Sequence, residues 1–408
     1  MIHINNIQTL ANQRKNLSLP SAAEITLNAE QLTLLPALID PHVHFRTPGL
    51  EHKEDWRTAA KASICGGYTT VFDMPNTLPP TVTAELLREK KQLIDKQLAE
   101  AGIPLRYHLF FGADKNHLDE IPKVKAAVIG IKVFMGCSTG NLVIDDDSSL
   151  HAVFAIAASQ DMLVAVHAED ESMLQQQKIK YSGHTDYSIH STIRSPEVAA
   201  RAVEKAIALA RLYKTRLYIL HVSTLDEINL IKAAKAEGLA VYAETTPHHL
   251  FINDSAYEQW RGKVVMNPPI RPAPHQAALF AAIRDNIIDT LGTDHAPHTL
   301  EEKILPYGKC PSGIPGIETA LPLLLNAYHE GLLTLEHIVA LTSTRAREIF
   351  RLPVNEDIVL VDLNKQAIVN ENTLKTKCGW SPFVGRRLTG WPVYTILGDQ
   401  LFNLSEIK

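Results

Sequence analysis

The chain has 408 residues, 45% of them hydrophobic and 21% charged, with a net charge of −5. This is ordinary globular composition, long for one compact core and suited to a large barrel with a small appendage. No basic block interleaved with aromatic residues argues for nucleic acid, and no apolar run approaches the ~20 residues of a membrane helix.

In chain order, residues 1–34 are short alternating pieces (17–20 and 29–32 among them) separated by turn residues, and read as small strands. From residue 35 the pattern becomes strand then helix. Strand-like runs fall at 35–40, 69–75, 107–112, 128–135, 163–168, 216–222, 240–246 and 287–294, eight in all. Ser195-Pro196 opens a helix with an N-cap and a proline at its first position, and Val198, Ala202, Ala206, Leu209 and Tyr213 follow at helical spacing. Thr224-Leu225-Asp226-Glu227 is a capping box, with Gly238 ending that helix. Past residue 353, the runs 358–361 and 393–397 are strands again, punctuated by Gly385, Gly390 and Gly398. The expected fold is therefore α/β: a (β/α)₈ TIM-like barrel over 35–352, with 1–34 and 353–408 meeting in a small β-sandwich domain.

A barrel of this kind carries its chemistry at the C-terminal ends of its strands. Those ends hold His42 and His44 in Asp-Pro-His-Val-His-Phe-Arg, Lys132, His167, His221 and Asp294. Side chains two apart on a strand share a face, so His42 and His44 can reach one ion together. Each residue has a plainer explanation: His167 and His221 as hydrogen-bonded core histidines, Asp294 as a turn or cap. Lys132 lies in the apolar run Val-Ile-Gly-Ile-Lys-Val-Phe, and an unpartnered buried ammonium is costly. One explanation is a lowered pKa and reaction with CO₂, giving a carbamate able to bridge two metal ions. Imidazole and carboxylate ligands without thiolate suit Zn²⁺, and two ions would share a hydroxide with a pKa of roughly 7. Asp294 is then placed to move the proton from that hydroxide to a leaving nitrogen.

Six segments taken together resemble the dihydroorotases of the amidohydrolase superfamily, cyclic-amide hydrolases of pyrimidine biosynthesis. They are Pro-His-Val-His-Phe-Arg (41–46), His-Lys-Glu-Asp (52–55), Asp-Met-Pro-Asn-Thr (73–77), Pro-His-His-Leu (247–250), Asp-His-Ala-Pro-His (294–298) and Pro-Gly-Ile-Glu-Thr (315–319). The resemblance runs from about residue 34 to the C-terminus, and Gly-Ile-Lys-Val-Phe-Met (130–135) matches the form with a carboxylated lysine. It implies two Zn²⁺ per subunit. His42 and His44 would hold the more buried ion and His167 and His221 the other. Carboxylated Lys132 would bridge them, and Asp294 would be both ligand and acid/base. It further implies that Arg46, Asn76 and His298 hold a substrate carboxylate, an assignment that suits a guanidinium. Asn267 would contact the pyrimidine edge, and Ser138 and Thr139 would belong to a loop that reaches the substrate. Surface pairing for Arg46, turn roles for Asn76 and Asn267, and capping for His298 are the structural alternatives. His248-His249 reads as structural, because neighbours on a strand face opposite ways.

The resemblance also implies a small-molecule substrate and a homodimer, and leaves association with an aspartate transcarbamoylase open. The four scattered cysteines, Cys65, Cys137, Cys310 and Cys378, and an N-terminus without signal-peptide organisation point to the cytoplasm. Two features depart from the pattern: Thr47 stands where many relatives carry glutamate, and the N-terminal segment is short. The competing readings are an allantoinase or hydantoinase, which share the metal site, and a non-catalytic scaffold, which would be expected to have lost ligands.

Overall fold

The computed structural model describes residues 1–137 and 142–407. Its strands are β1 (Ile2–Gln8), β2 (Arg14–Leu19), β3 (Ile25–Asn28), β4 (Thr33–Pro36), β5 (Leu38–Val43), β6 (Tyr68–Asp73), β7 (Arg106–Gly112), β8 (Gly130–Phe134), β9 (Leu163–His167), β10 (Arg216–Ile219), β11 (Val241–Thr245), β12 (Thr290–Leu291), β13 (Ile358–Ile368), β14 (Arg387–Leu397) and β15 (Gln400–Asn403). Strands β5 to β12 form one parallel sheet in sequence order, with helices in the crossovers. The expected eight-stranded barrel is therefore present. Its seam closes between β5 and the stretch after β12. Thr293 donates its backbone N–H (2.9 Å) to Asp40, and Val43 forms an isolated parallel bridge with His295.

The barrel's inner layer explains why its strands are apolar on both faces. Ile39, Phe72, Phe110, Leu163, Ala165 and Tyr218 form one buried cluster with Phe350. Phe350 packs edge-on against Phe72 at 4.8 Å and Tyr218 at 5.0 Å between centroids. It comes from the helix Arg345–Phe350, so an aromatic plug from late in the chain fills the barrel interior. Val71, Leu109, Ile131, Val133, Val164 and Val166 belong instead to the large cluster shared with the outer helices. One of these helices is Pro196–Tyr213, which starts at Ser195-Pro196 as expected and buries Val198, Ala202, Ala206 and Leu209.

The remaining strands make a second sheet of seven strands, ordered β15-β14-β13-β4-β1-β2 with β3 beside β1. The N- and C-terminal segments thus do meet, and Ile2, Ile4, Leu19, Leu360 and Ile396 share their core. Two expectations change. The run 35–40 is split, because Thr33–Pro36 pairs antiparallel with β13 in the small sheet and the barrel strand begins at Leu38. The eighth barrel strand shrinks from 287–294 to Thr290–Leu291, and the chain turns into positive φ at Asp294 (47°). Among the described residues no helix is long and apolar enough to cross a membrane.

After β13, the chain leaves the small sheet and runs back over the barrel. Glu318 accepts the backbone N–H groups of Lys375 and Thr376 at 2.8–3.0 Å. The Trp380 indole donates to the His298 carbonyl at 2.8 Å.

Candidate active site

His42 lies within β5 and His44 one residue past its end, and both rings meet Asp294. His42 Nε2 is 3.2 Å and His44 Nε2 3.0 Å from Asp294 Oδ1. The ligand atoms of these three residues all lie within 4.8 Å of one another. The far nitrogen of each ring is taken by an oxygen: His42 Nδ1 by Glu244 Oε1 and His44 Nδ1 by Asn76 Oδ1, each at 2.8 Å. An acceptor oxygen on Nδ1 places the proton there and leaves a lone pair on Nε2. Burial lowers His42 to about 3 and His44 to about 4, which keeps both rings neutral. Two imidazole lone pairs therefore converge on a carboxylate oxygen. A cation is the natural partner for that arrangement.

A second pair sits beside it. His167 ends β9 and His221 follows β10 at positive φ (41°), and His167 Nδ1 is 2.9 Å from His221 Nε2. His167 Nε2 is held at 2.9 Å by Glu169, which is itself paired with Arg194. Burial pushes Glu169 up, but Arg194 and His167 bring it to about 2, so it stays an acceptor. The His42 and His221 rings, 5.5 Å apart, join the two pairs.

Lys132 is 1% exposed and lies in the middle of β8, with Nζ 4.6 Å from the Phe134 ring centroid. Burial lowers its pKa to about 7, against the pull of Asp294 and Glu244. Asp294 is pushed up by burial, and positive charge at His42 and His44 would outweigh this and hold its carboxyl well below the usual range; with both rings neutral, a cation between them would take over that role. Glu244 is raised by burial to about 8 despite the Tyr218 hydroxyl (2.9 Å) and the His221 N–H (3.2 Å) that it accepts. A positive charge in the adjacent site would return it to the carboxylate form. Gly292 is there to admit it: a Cβ at that position would stand 2.4 Å from the Glu244 carboxyl.

The expected substrate residues divide. Arg46 is 2% exposed and reaches His298, with Nη2 3.2 Å from Nε2 and Nε donating to the Pro297 carbonyl at 3.1 Å. It does not get there by strand alternation. Arg46 is left-handed (φ 67°), in a turn fixed by Phe45 N–H on Asp73 Oδ1 (2.8 Å) and Thr47 N–H on the Phe45 carbonyl (2.8 Å). Asn76 meets His44, as above. Asn267 instead holds His190, Oδ1 to Nε2 at 3.0 Å. Ser138 and Thr139 lie outside the described residues.

His248 and His249 are on a short helix, Pro247–Phe251, and not a strand, so the alternation argument fails for them. His249 is nevertheless structural, tied to Thr246 Oγ1 (2.8 Å) and the Pro268 carbonyl (3.1 Å). Glu244, Glu169 and Arg194 were missed by sequence reasoning. A signal existed for Glu244, a charged residue inside the apolar strand Val-Tyr-Ala-Glu-Thr.

The model of the amidohydrolase family matches residues 33–370. The chain belongs to the amidohydrolase family. Within it, the chain is 36% identical to a dihydroorotase of Halobacterium salinarum, over 86% of this chain and 82% of that one. It is 34% identical to a dihydroorotase of Methanosarcina acetivorans, over 95% and 85%. Among solved structures of amidohydrolase type, the L-hydantoinase (dihydropyrimidinase) of Arthrobacter aurescens superposes with a TM-score of 0.90 at 26% identity, over 98% of this chain and 95% of that one. The dihydropyrimidinase of Brevibacillus agri gives 0.85 at 26% identity, over 98% and 94%. The enzyme is thus a cyclic amidohydrolase with a His-His-Asp cluster of metal-binding geometry.

Proposed function

We propose that this amidohydrolase is a dihydroorotase, interconverting (S)-dihydroorotate and N-carbamoyl-L-aspartate in pyrimidine biosynthesis. Relatives of that name at 32–36% identity support the reaction. The observation that carries it is Arg46: a buried guanidinium turned out of the strand to lie beside His298, near the His-His-Asp cluster. A cation that cannot itself bind a metal needs an anion, and dihydroorotate brings a carboxylate.

His42, His44, His167, His221, Asp294 and a CO₂-derived carbamate on Lys132 would hold two Zn²⁺, and the donor set fits them. The metals would supply a hydroxide at neutral pH and polarise the ring carbonyl. The chain's own part is positional. Glu244, Asn76 and Glu169 orient the imidazoles. Arg46 and His298, with Asn76, grip the substrate carboxylate, and Asn267 borders the ring. Asp294 accepts the proton of the attacking group at its carboxylate. As the ring C–N bond breaks, it passes that proton to the departing nitrogen; ring closure is the reverse and needs Asp294 protonated. The same reading places the enzyme in the cytoplasm as a homodimer, open to association with an aspartate transcarbamoylase.

The second reading is a hydantoinase, favoured by the structural neighbours. Such enzymes act on rings without that carboxylate, which leaves Arg46 without a task. Assay of the purified protein on dihydroorotate, hydantoin and allantoin, with metal measured on the same sample, decides. Dihydroorotate should be much the best substrate with about two zinc ions per chain; preference for hydantoin would refute the proposal.

A further inference from the structure

The helix Ala84–Ala101 buries Leu87, Ile94 and Leu98, and among them two polar residues, Lys90 and Gln97. Seven positions apart, the two share one face of the helix, and both lead to the turn that carries Arg46. Gln97 Oε1 accepts the Trp56 N–H at 2.9 Å and the Thr47 hydroxyl at 3.3 Å. Lys90 is 1% exposed; its Nζ donates to the Met74 carbonyl at 2.8 Å and forms an ion pair with Asp73 Oδ2 at 2.6 Å. The other oxygen of that carboxylate, Oδ1, accepts the Phe45 N–H at 2.8 Å. Asp73 is fully buried, and a buried carboxylate is stable only beside a cation and hydrogen-bond donors. Arg46, the next residue, is left-handed at φ 67°, a conformation that a residue with a Cβ keeps only where its surroundings impose it.

We propose that Lys90 is a positioning residue for the substrate clamp: by holding the Asp73 carboxylate on the Phe45 N–H, it keeps Arg46 in the left-handed turn that carries its guanidinium to His298. The inference rests on the dihydroorotate reading above for what the clamp binds. Each link is buried and short. The ammonium on Oδ2 fixes the carboxylate so that Oδ1 faces the Phe45 N–H, and its bond to the Met74 carbonyl ties down the segment that follows Asp73. Without the ammonium, the carboxylate is an unpaired buried charge and turns toward other donors. The Phe45 N–H is then released, and Arg46 relaxes toward the extended backbone that its Cβ favours. Its guanidinium leaves the Pro297 carbonyl and His298, where it is placed to meet a carboxylate. Lys90 contacts neither the clamp residues nor the His-His-Asp cluster, so it acts only through Asp73 and the turn.

The test compares the zinc-loaded enzyme with Lys90→Met, Arg46→Met and the two combined. Hydrogen exchange at the Phe45 amide reports the Asp73 contact without substrate. It is read by NMR of protein labelled with ¹⁵N-phenylalanine, the signal being assigned by its loss in Phe45→Leu. In Lys90→Met this exchange should quicken at least about tenfold, while the Phe110 amide in β7 keeps its rate. The KM for dihydroorotate should rise at least about tenfold with kcat changed far less and zinc content unchanged. Added to Arg46→Met, Lys90→Met should cost no further activity, because both act through one guanidinium. If Lys90→Met does not fold, Asp73→Asn, which removes the ion pair at nearly constant volume, takes its place with the same expectations. Unchanged exchange at Phe45, equal quickening at Phe45 and Phe110, or losses that multiply with Arg46→Met would each overturn the proposal. If no form turns over dihydroorotate, the substrate reading falls, while exchange at Phe45 still decides the role of Lys90.

Discussion

A lysine is a nucleophile toward CO₂ only after losing its proton, and Lys132 is placed to lose it. Burial brings it to about 7, so the neutral amine is scarce below that pH and dominant above it. Metal-stripped protein given zinc and bicarbonate should therefore recover activity faster as pH rises from 6 to 8, and Lys132→Ala should not recover. A small carboxylic acid should restore part of the activity of Lys132→Ala by standing in for the carbamate. Recovery independent of pH would count against the carbamate. Glu244→Gln tests the support of His42: loss of the carboxylate should weaken metal binding about 10–100-fold, measured by chelator competition. The burial argument that singles out Lys132 in its apolar strand applies equally to Glu244. What the local sequence cannot show is the partner, because His42 is 202 positions away.

At the scale of elements, the eight barrel strands are legible because each is an apolar run bounded by turn residues, and the histidine positions follow from them. The turns are not legible. Strand alternation pairs His42 with His44 but fails at Arg46, where the Asp73 carboxylate captures the Phe45 N–H and turns the chain. Loops beyond the strands are likewise set by long-range contacts. Lys303 is fully buried and donates to the carbonyls of Val265 (2.9 Å) and Pro311 (2.7 Å), tying together the segments that carry Asn267 and Ser312. Gly262 makes room for it, since a Cβ there would lie 2.0 Å from the Lys303 carbonyl. Lys303→Met takes the 2.7 Å donor from the Pro311 carbonyl and leaves the Val265 carbonyl only the Gly313 N–H at 3.0 Å, while removing a buried charge. It should cost about 1–3 kcal/mol, read by denaturant unfolding of the zinc-loaded protein. No loss of stability would mean that water replaces the ammonium.

Across the whole molecule, the small sheet and the barrel share more than a boundary. β13 pairs with β4 to close the small sheet, and the chain after it returns over the barrel and places Trp380 on His298. Trp380 is 2% exposed and packs with Phe383, Leu388 and Ile314. Trp380→Ala should lower stability by about 3–5 kcal/mol through the cavity it leaves. It should also raise the KM for dihydroorotate by loosening His298, which steady-state kinetics below the new Tm would show. Composition and strand spacing point to the two-part architecture. The return of the C-terminal segment to the site depends on contacts such as Thr376 with Glu54, 322 positions apart, and has no local signature.

The central claim is that a carboxylate clamp beside a two-metal site selects the substrate, and Arg46→Met tests it most directly. The variant keeps much of the stem and removes the fork. kcat/KM for dihydroorotate and for hydantoin should be measured for both proteins, with zinc content on the same samples. The account predicts at least a tenfold fall for dihydroorotate, since ~1.4 kcal/mol is a factor of ten, with zinc content unchanged and any activity on hydantoin spared. A parallel fall on both substrates would contradict it, showing that Arg46 maintains the site and does not read the carboxylate.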